Sequence, residues 1–153
     1  CSFFRRVGAC KFGNKCSRVH IIPQQSTTLL FPNMFNSFKL QQTFRNDYNS
    51  ENDIYEEFKA FYDDVYPEFR KIGKINMFAV CCNIEPHLRG NVYVDYLKLA
   101  HALEAFGKFN GRWFDKRQLS CSFVTVYNWK YAICGLFNRN MCLKGKNCNF
   151  LHV

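Results

Sequence analysis

Six of the nine cysteines in this 153-residue chain fall into two terminal series, and each series ends on a histidine. Cys1, Cys10, Cys16 and His20 are spaced C-x8-C-x5-C-x3-H. Cys134, Cys142, Cys148 and His152 are spaced C-x7-C-x5-C-x3-H. Three thiolates and one imidazole complete a tetrahedral zinc shell, with Zn–S about 2.3 Å, and leave no open position for a catalytic water. The spacing therefore predicts two structural Zn2+ sites. A disulfide framework is the competing use of these thiols. It gives no role to a histidine three residues past the last cysteine, and an odd cysteine count leaves one thiol over.

Charge sharpens what the two ends do. The net charge is +9, from 21 Lys and Arg against 12 Asp and Glu. Residues 1–25 carry Arg5, Arg6, Lys11, Lys15 and Arg18 with no acid, and residues 129–153 carry Lys130, Arg139, Lys144 and Lys146 with no acid. The centre is neutral, so the excess sits on the metal-binding ends, where it suits a polyanionic partner. Modules this small bury little, so Phe3, Phe4, Phe12, Phe137 and Phe150 cannot all be core. An outward aromatic beside Lys or Arg offers a base a stacking face and its phosphate a counter-charge.

The elements that position these ends are read from the centre. A hydrophobic fraction of 48% supports a real core. Thr28 to Phe35 reads as a strand, and 36–52 as a polar loop. Ile54, Phe58, Phe61, Val65, Phe69 and Ile72 follow a helical period, with a kink or break expected at Pro67 and a stop at Gly73. Ile75 to Cys81 and Asn91 to Tyr96 read as strands. Leu99, Ala102, Leu103 and Phe106 mark a second helix ended by Gly107, and Leu119, Cys121 and Phe123 mark a last strand. The order βαββαβ predicts an α+β, ferredoxin-like domain over 26–128, flanked by small zinc fingers over 1–25 and 129–153.

Arg89-Gly90-Asn91-Val92-Tyr93-Val94-Asp95-Tyr96 resembles the third-strand octapeptide of RNA recognition motifs, K/R-G-F/Y-G/A-F-V-x-F/Y. Asn91 and Leu30 stand where two stacking aromatics belong, and Tyr93 alone remains. Alternation sends Val92, Val94 and Tyr96 to the core and Asn91, Tyr93 and Asp95 to an open sheet face, which makes that face a poor RNA platform. Arg112-Trp113-Phe114 reads as either a lid over the core or a partner anchor. The first helix carries Glu51, Asp53, Glu56, Glu57, Asp63, Asp64 and Glu68 against only Lys59, a face that draws basic peptides.

The finger spacing resembles the Cys-Cys-Cys-His family of single-stranded RNA-binding fingers. That resemblance implies base stacking on Phe12 and Phe150, with Val19 and Gly145 at the complementary positions. Lys11, Lys15, Ser17, Arg18, Arg139, Lys144 and Lys146 are its polar contacts. An Arg-x-Phe loop opposite an acidic helix resembles the U2 auxiliary factor homology motif, a protein-binding variant of the RNA recognition motif. Two such fingers flanking this motif resemble the small-subunit family of the U2 auxiliary factor, a nuclear pre-mRNA splicing factor. The resemblance implies joint recognition of the 3′ splice-site AG of single-stranded pre-mRNA by both fingers. It also implies a heterodimer with the large subunit, with Arg112, Trp113, Phe114, Glu56, Glu57, Asp63 and Asp64 at the contact. The rival RNA reading is a tandem-finger mRNA regulator that works without a large subunit.

Other classes find little support. Cys81 and Cys82 point to opposite faces of one strand, and neither a phosphate-cradling glycine loop nor an H-E-x-x-H motif is present, so no enzyme is expected. The longest uncharged apolar stretch, near Leu29 to Phe38, is far short of the roughly 20 residues a membrane span requires, and no signal-peptide pattern is visible.

Overall fold

A computed structural model describes residues 1–35, 51–83, 86–134, 148, 150, 151 and 153, without the side chains of 51–54. The central domain has strand β1 (Thr28–Phe31), strand β2 (Ile75–Val80) and strand β3 (Val92–Tyr96), with helix α2 (Glu51–Arg70) between the first two. Helix α3 (Leu99–Phe109), a two-stranded hairpin of β4 (Trp113–Phe114) and β5 (Arg117–Gln118), and strand β6 (Ser122–Val124) complete it. Helix α1 (Ser2–Val7) precedes this domain and the short helix α4 (Trp129–Ala132) follows it. The four long-range strands form one antiparallel sheet in the order β2-β3-β1-β6, which is the ferredoxin-like arrangement expected.

Alternation along β3 sorts the sheet's two faces. Val92, Val94 and Tyr96 join Leu29 and Phe31 in a core closed by Val65, Phe69, Ala102, Ala105 and Phe109 from α2 and α3. Aromatic edges lock this layer: the Phe31 and Phe69 rings lie 5.2 Å apart, and the Phe69 and Phe109 rings 4.4 Å. The Tyr96 hydroxyl donates to the Phe69 carbonyl at 2.8 Å and so satisfies a buried polar group.

Several local expectations change. Strand β1 stops at Phe31 because Pro32 lacks a donor and Asn33 takes φ 51°, although Met34 and Phe35 stay buried. Helix α2 runs unbroken past Pro67 to Arg70, and the Pro67 carbonyl still accepts from the Lys71 amide at 3.0 Å. Only the Asp63 acceptor loses its partner, and the apolar face of Phe61, Val65 and Phe69 holds the helix in place. Gly73 serves close packing: a Cβ there would lie 2.0 Å from Nδ1 of His101. Gly107 does not stop α3, which continues so that Phe109 reaches the core. The loop expected at 36–52 lies outside the described residues from 36 to 50.

The largest correction concerns the second sheet face, which is not open. Tyr93 is fully buried in a cluster with Leu30, Ala79, Cys81 and Leu88 from the sheet side, Val7 from α1, and Ala132 and Leu151 from the C-terminal segment. The Tyr93 hydroxyl donates to the Val7 carbonyl. Burial, reinforced by the neighbouring Cys81 thiol, pushes its pKa well above the usual tyrosine range, so it remains a donor. Both terminal segments thus cover the surface on which a typical RNA recognition motif stacks bases.

Candidate functional site

In the first finger, α1 begins after Cys1 and ends at Gly8, whose left-handed φ of 69° lets its amide return to the Phe4 carbonyl. The chain then reaches Cys10, makes a 3-10 turn over Gly13–Lys15, and presents Cys16 and His20. The ligand atoms of Cys1, Cys10, Cys16 and His20 all lie within 4.8 Å of one another. The Cys1 and Cys10 sulfurs are 3.7 Å apart, too far for a disulfide and close to the roughly 3.8 Å that tetrahedral Zn–S geometry requires. Nε2 of His20 is buried with no hydrogen-bond partner among the described residues, as expected of a nitrogen that coordinates a metal. Phe4 stacks on the His20 ring at 4.3 Å and 5°, which fixes the imidazole plane. The donor set and its spacing fit Zn2+.

In the second finger, Cys134 and Cys148 are buried. Cys142 and His152, together with Phe137, Arg139, Lys144 and Lys146, lie outside the described residues. The segment is pinned where it can be described. Ile133 and Leu151 form a parallel bridge, the Cys134 amide donates to the Leu151 carbonyl at 2.8 Å, and Asn83 Nδ2 donates to the Phe150 carbonyl at 2.8 Å.

The sequence-predicted RNA residues separate into groups. Lys11, Phe12, Lys15, Ser17 and Arg18 are all exposed, with Phe12 65% accessible. Arg18 lines a cavity of about 310 Å³ beside Cys10, Cys16 and His20. Phe4 is committed to His20. Phe3 meets Phe150 edge to face at 6.5 Å, bringing an aromatic from each finger together.

Between the fingers runs a groove of about 870 Å³, lined by Cys1, Ser2, Arg5, Arg6, Tyr127, Asn128, Lys130, Tyr131, Ile133, Cys134 and Phe150. Among the described residues, three cations and no carboxylate face it. The Arg5 guanidinium sits 5.9 Å from the Tyr127 ring centre and that of Arg6 5.8 Å from Phe150, so charge and aromatic surface alternate along the walls. Sequence reasoning missed Arg5, Arg6, Tyr127, Lys130 and Tyr131 as site residues. The signals were the adjacent arginines and the i, i+4 tyrosines, but only the fold sets them face to face.

A second site lies across the sheet. Trp113 is 70% exposed on β4 and is not part of the core formed by the described residues. Phe114 packs against Phe61 at 6.2 Å, and the Arg112 guanidinium lies 5.5 Å from the Phe109 ring. Arg112 and Phe114 join Met34, Asp64, Val65, Glu68, Phe69, Phe109 and Leu119 around a cavity of about 140 Å³. Asp64 and Glu68 therefore stand at its rim. Glu56 and Asp63 are exposed on α2, and Glu57 is half-buried.

Comparison with known proteins agrees with this geometry. The family described as "Zinc finger C-x8-C-x5-C-x3-H type (and similar)" matches residues 1–22. The mouse U2 small nuclear ribonucleoprotein auxiliary factor 35 kDa subunit-related protein 2-like is 51% identical over the whole chain, which spans 37% of that relative. The fission-yeast splicing factor U2AF 23 kDa subunit is 35% identical, over all of this chain and 70% of its own length. Among solved structures, the RNA15 RRM is 12% identical, with a TM-score of 0.39, covering 66% of this chain and 92% of that one. With both flanking segments folded onto a ferredoxin-like sheet and two-thirds of the yeast subunit aligned, the chain belongs to the family of U2 auxiliary factor small subunits and their related proteins.

Proposed function

We propose that this chain acts in the nucleus as part of a pre-mRNA splicing factor, gripping single-stranded RNA at the AG of a 3′ splice site with two zinc-loaded fingers. The observation that carries this reading is the groove between the fingers, where Arg5, Arg6 and Lys130 alternate with Tyr127, Tyr131 and Phe150 and no described lining residue is acidic. Its cations match a phosphate backbone, and its rings match unstacked bases. A buried sheet face leaves the finger side as the surface on which RNA is read. The second zinc is held by Cys134, Cys142, Cys148 and His152.

The same reading assigns the Trp113 side to the large subunit. An exposed indole beside an acidic-rimmed cavity suits a basic, aromatic-bearing peptide, with the indole as the anchor. The chain works by binding and not by catalysis. Burial raises the Cys82 thiol to about 11 and the Cys121 thiol to about 12, which leaves neither ionised as a nucleophile near neutral pH.

Fluorescence anisotropy with a short AG-containing RNA tests the groove. Arg5→Ala combined with Arg6→Ala is expected to weaken binding by at least tenfold and to flatten its salt dependence. Equal affinity for RNAs lacking AG would instead favour a general single-strand binder, and unchanged affinity in the double variant would refute the groove.

A further inference from the structure

The RNA reading leaves Asp95 unexplained. It is 8% exposed on the sheet face that the fingers cover, and no cation pairs with it among the described residues. Four donors satisfy it. Oδ1 accepts from Thr27 Oγ1 at 2.9 Å and Thr28 Oγ1 at 3.0 Å, and Oδ2 accepts from Asn76 Nδ2 at 2.9 Å and Trp129 Nε1 at 3.2 Å. Three of these donors belong to the sheet or its flank and hold the carboxylate still. The fourth belongs to α4, at the entry to the second finger.

Helix α4 has four residues, too few to hold an orientation by its own hydrogen bonds. Its position must come from tertiary contacts. Trp129 supplies one, with its ring edge-on to Tyr93 at 5.7 Å and its indole N–H on Asp95. Its neighbours Asn128, Lys130 and Tyr131 line the groove. Apolar contact alone tolerates sliding, whereas a hydrogen bond to a fixed carboxylate sets direction and register. A buried carboxylate is seldom the most stabilising choice for such a site, and fixing one arrangement is the role best attested for groups of this kind.

We propose that Asp95 is a positioning residue for the interfinger groove: through the Trp129 indole it fixes the wall carrying Lys130 and Tyr131 against the wall carrying Arg5 and Arg6. The inference rests on the groove being the RNA site. Two walls held at one spacing engage a single strand together at high effective concentration, and a loose wall engages it separately.

The test uses the zinc-loaded full chain and a short AG-containing RNA. Trp129→Phe keeps an aromatic ring beside Tyr93 and removes the donor together with the smaller ring of the indole. RNA affinity is expected to fall about tenfold, and the slope of log K against log salt to shrink, as fewer phosphates are held at once. Zinc content and thermal midpoint should stay near those of the parent. Parental affinity and slope in Trp129→Phe overturn the proposal, as does an affinity loss accompanied by loss of zinc, which marks a purely structural role. In an Asp95→Asn background, adding Trp129→Phe should cost little more, whereas full additivity rules out action through the indole. If Asp95→Asn does not fold, Trp129→Phe alone decides. Arg5→Ala with Arg6→Ala separates the two failures: if that variant binds as the parent does, the groove reading falls and takes this proposal with it.

Discussion

The two faces of the central sheet are buried by different means. On one, α2 and α3 lay large side chains such as Phe69 and Phe109 over Phe31, Val94 and Tyr96, and the layer holds by apolar area. On the other, the cover comes from the two terminal segments, among them Val7, Ala132 and Leu151, with Trp129 packed against them. Directional pins supplement it: Tyr93 to the Val7 carbonyl, Asn83 to the Phe150 carbonyl, and Asp95 to Trp129. Apolar packing closes the helical face, while the finger face combines apolar packing with hydrogen bonds between distant segments. The surfaces differ in sign as well, with arginines in the interfinger groove and Asp64 and Glu68 at the cavity lined by Arg112 and Phe114.

Metal removal should separate the faces most sharply. A strong chelator, or Cys16→Ser, is expected to release finger binding energy on the order of 10 kcal/mol and expose the Tyr93 face, while α2 and α3 keep their far-ultraviolet dichroism. Melting of both helices in the same step would show that the faces are one cooperative unit. Next in size, Trp113→Ala should cost 2 kcal/mol or more, roughly thirtyfold, in binding of a basic, tryptophan-bearing peptide. Thermal stability should move by no more than about 0.5 kcal/mol, because the indole is exposed. RNA affinity should not change, and a drop there would mean that the two surfaces are coupled. Gly73→Ala drives a methyl into His101 and is expected to destabilise the helical face by roughly 1–3 kcal/mol in urea melts, with zinc content unaltered. Tyr93→Phe is the smallest change. It deletes the hydroxyl and its bond to Val7, about 1 kcal/mol, and should show as faster amide exchange in α1 with α2 and α3 undisturbed.

The legibility of the sequence follows the same division. The C-x8-C-x5-C-x3-H spacing announced the first metal site because ligand geometry constrains spacing directly. The helical period of Phe61, Val65 and Phe69 located α2, and period-2 alternation sorted Val92, Val94 and Tyr96 from Tyr93 and Asp95. Alternation says which residues share a face, not what lies over it, so the burial of Tyr93 was invisible. Gly107 misled as a stop, because α3 continues far enough to bury Phe109, and at Pro67 α2 does not break. The β4–β5 hairpin was also hidden. Its turn uses Asp115 at φ 47° and Lys116 at φ 65° where a glycine would have advertised it. The groove pairs Arg5 with Tyr127, and no local pattern connects residues so far apart in the chain.

That distance has a consequence for how the molecule is made. The bond from Tyr93 to Val7 spans 86 residues and that from Asn83 to Phe150 spans 67, and Val7 and Leu151 finish in the same apolar cluster. On a ribosome, α1 and its cysteines emerge long before the surface they cover exists, and the sheet is complete before Leu151 arrives to seal it. Contacts of such high order form late and slowly. Through that interval the nascent chain exposes the apolar face around Tyr93 and the thiols of the first finger, surfaces that the finished fold covers.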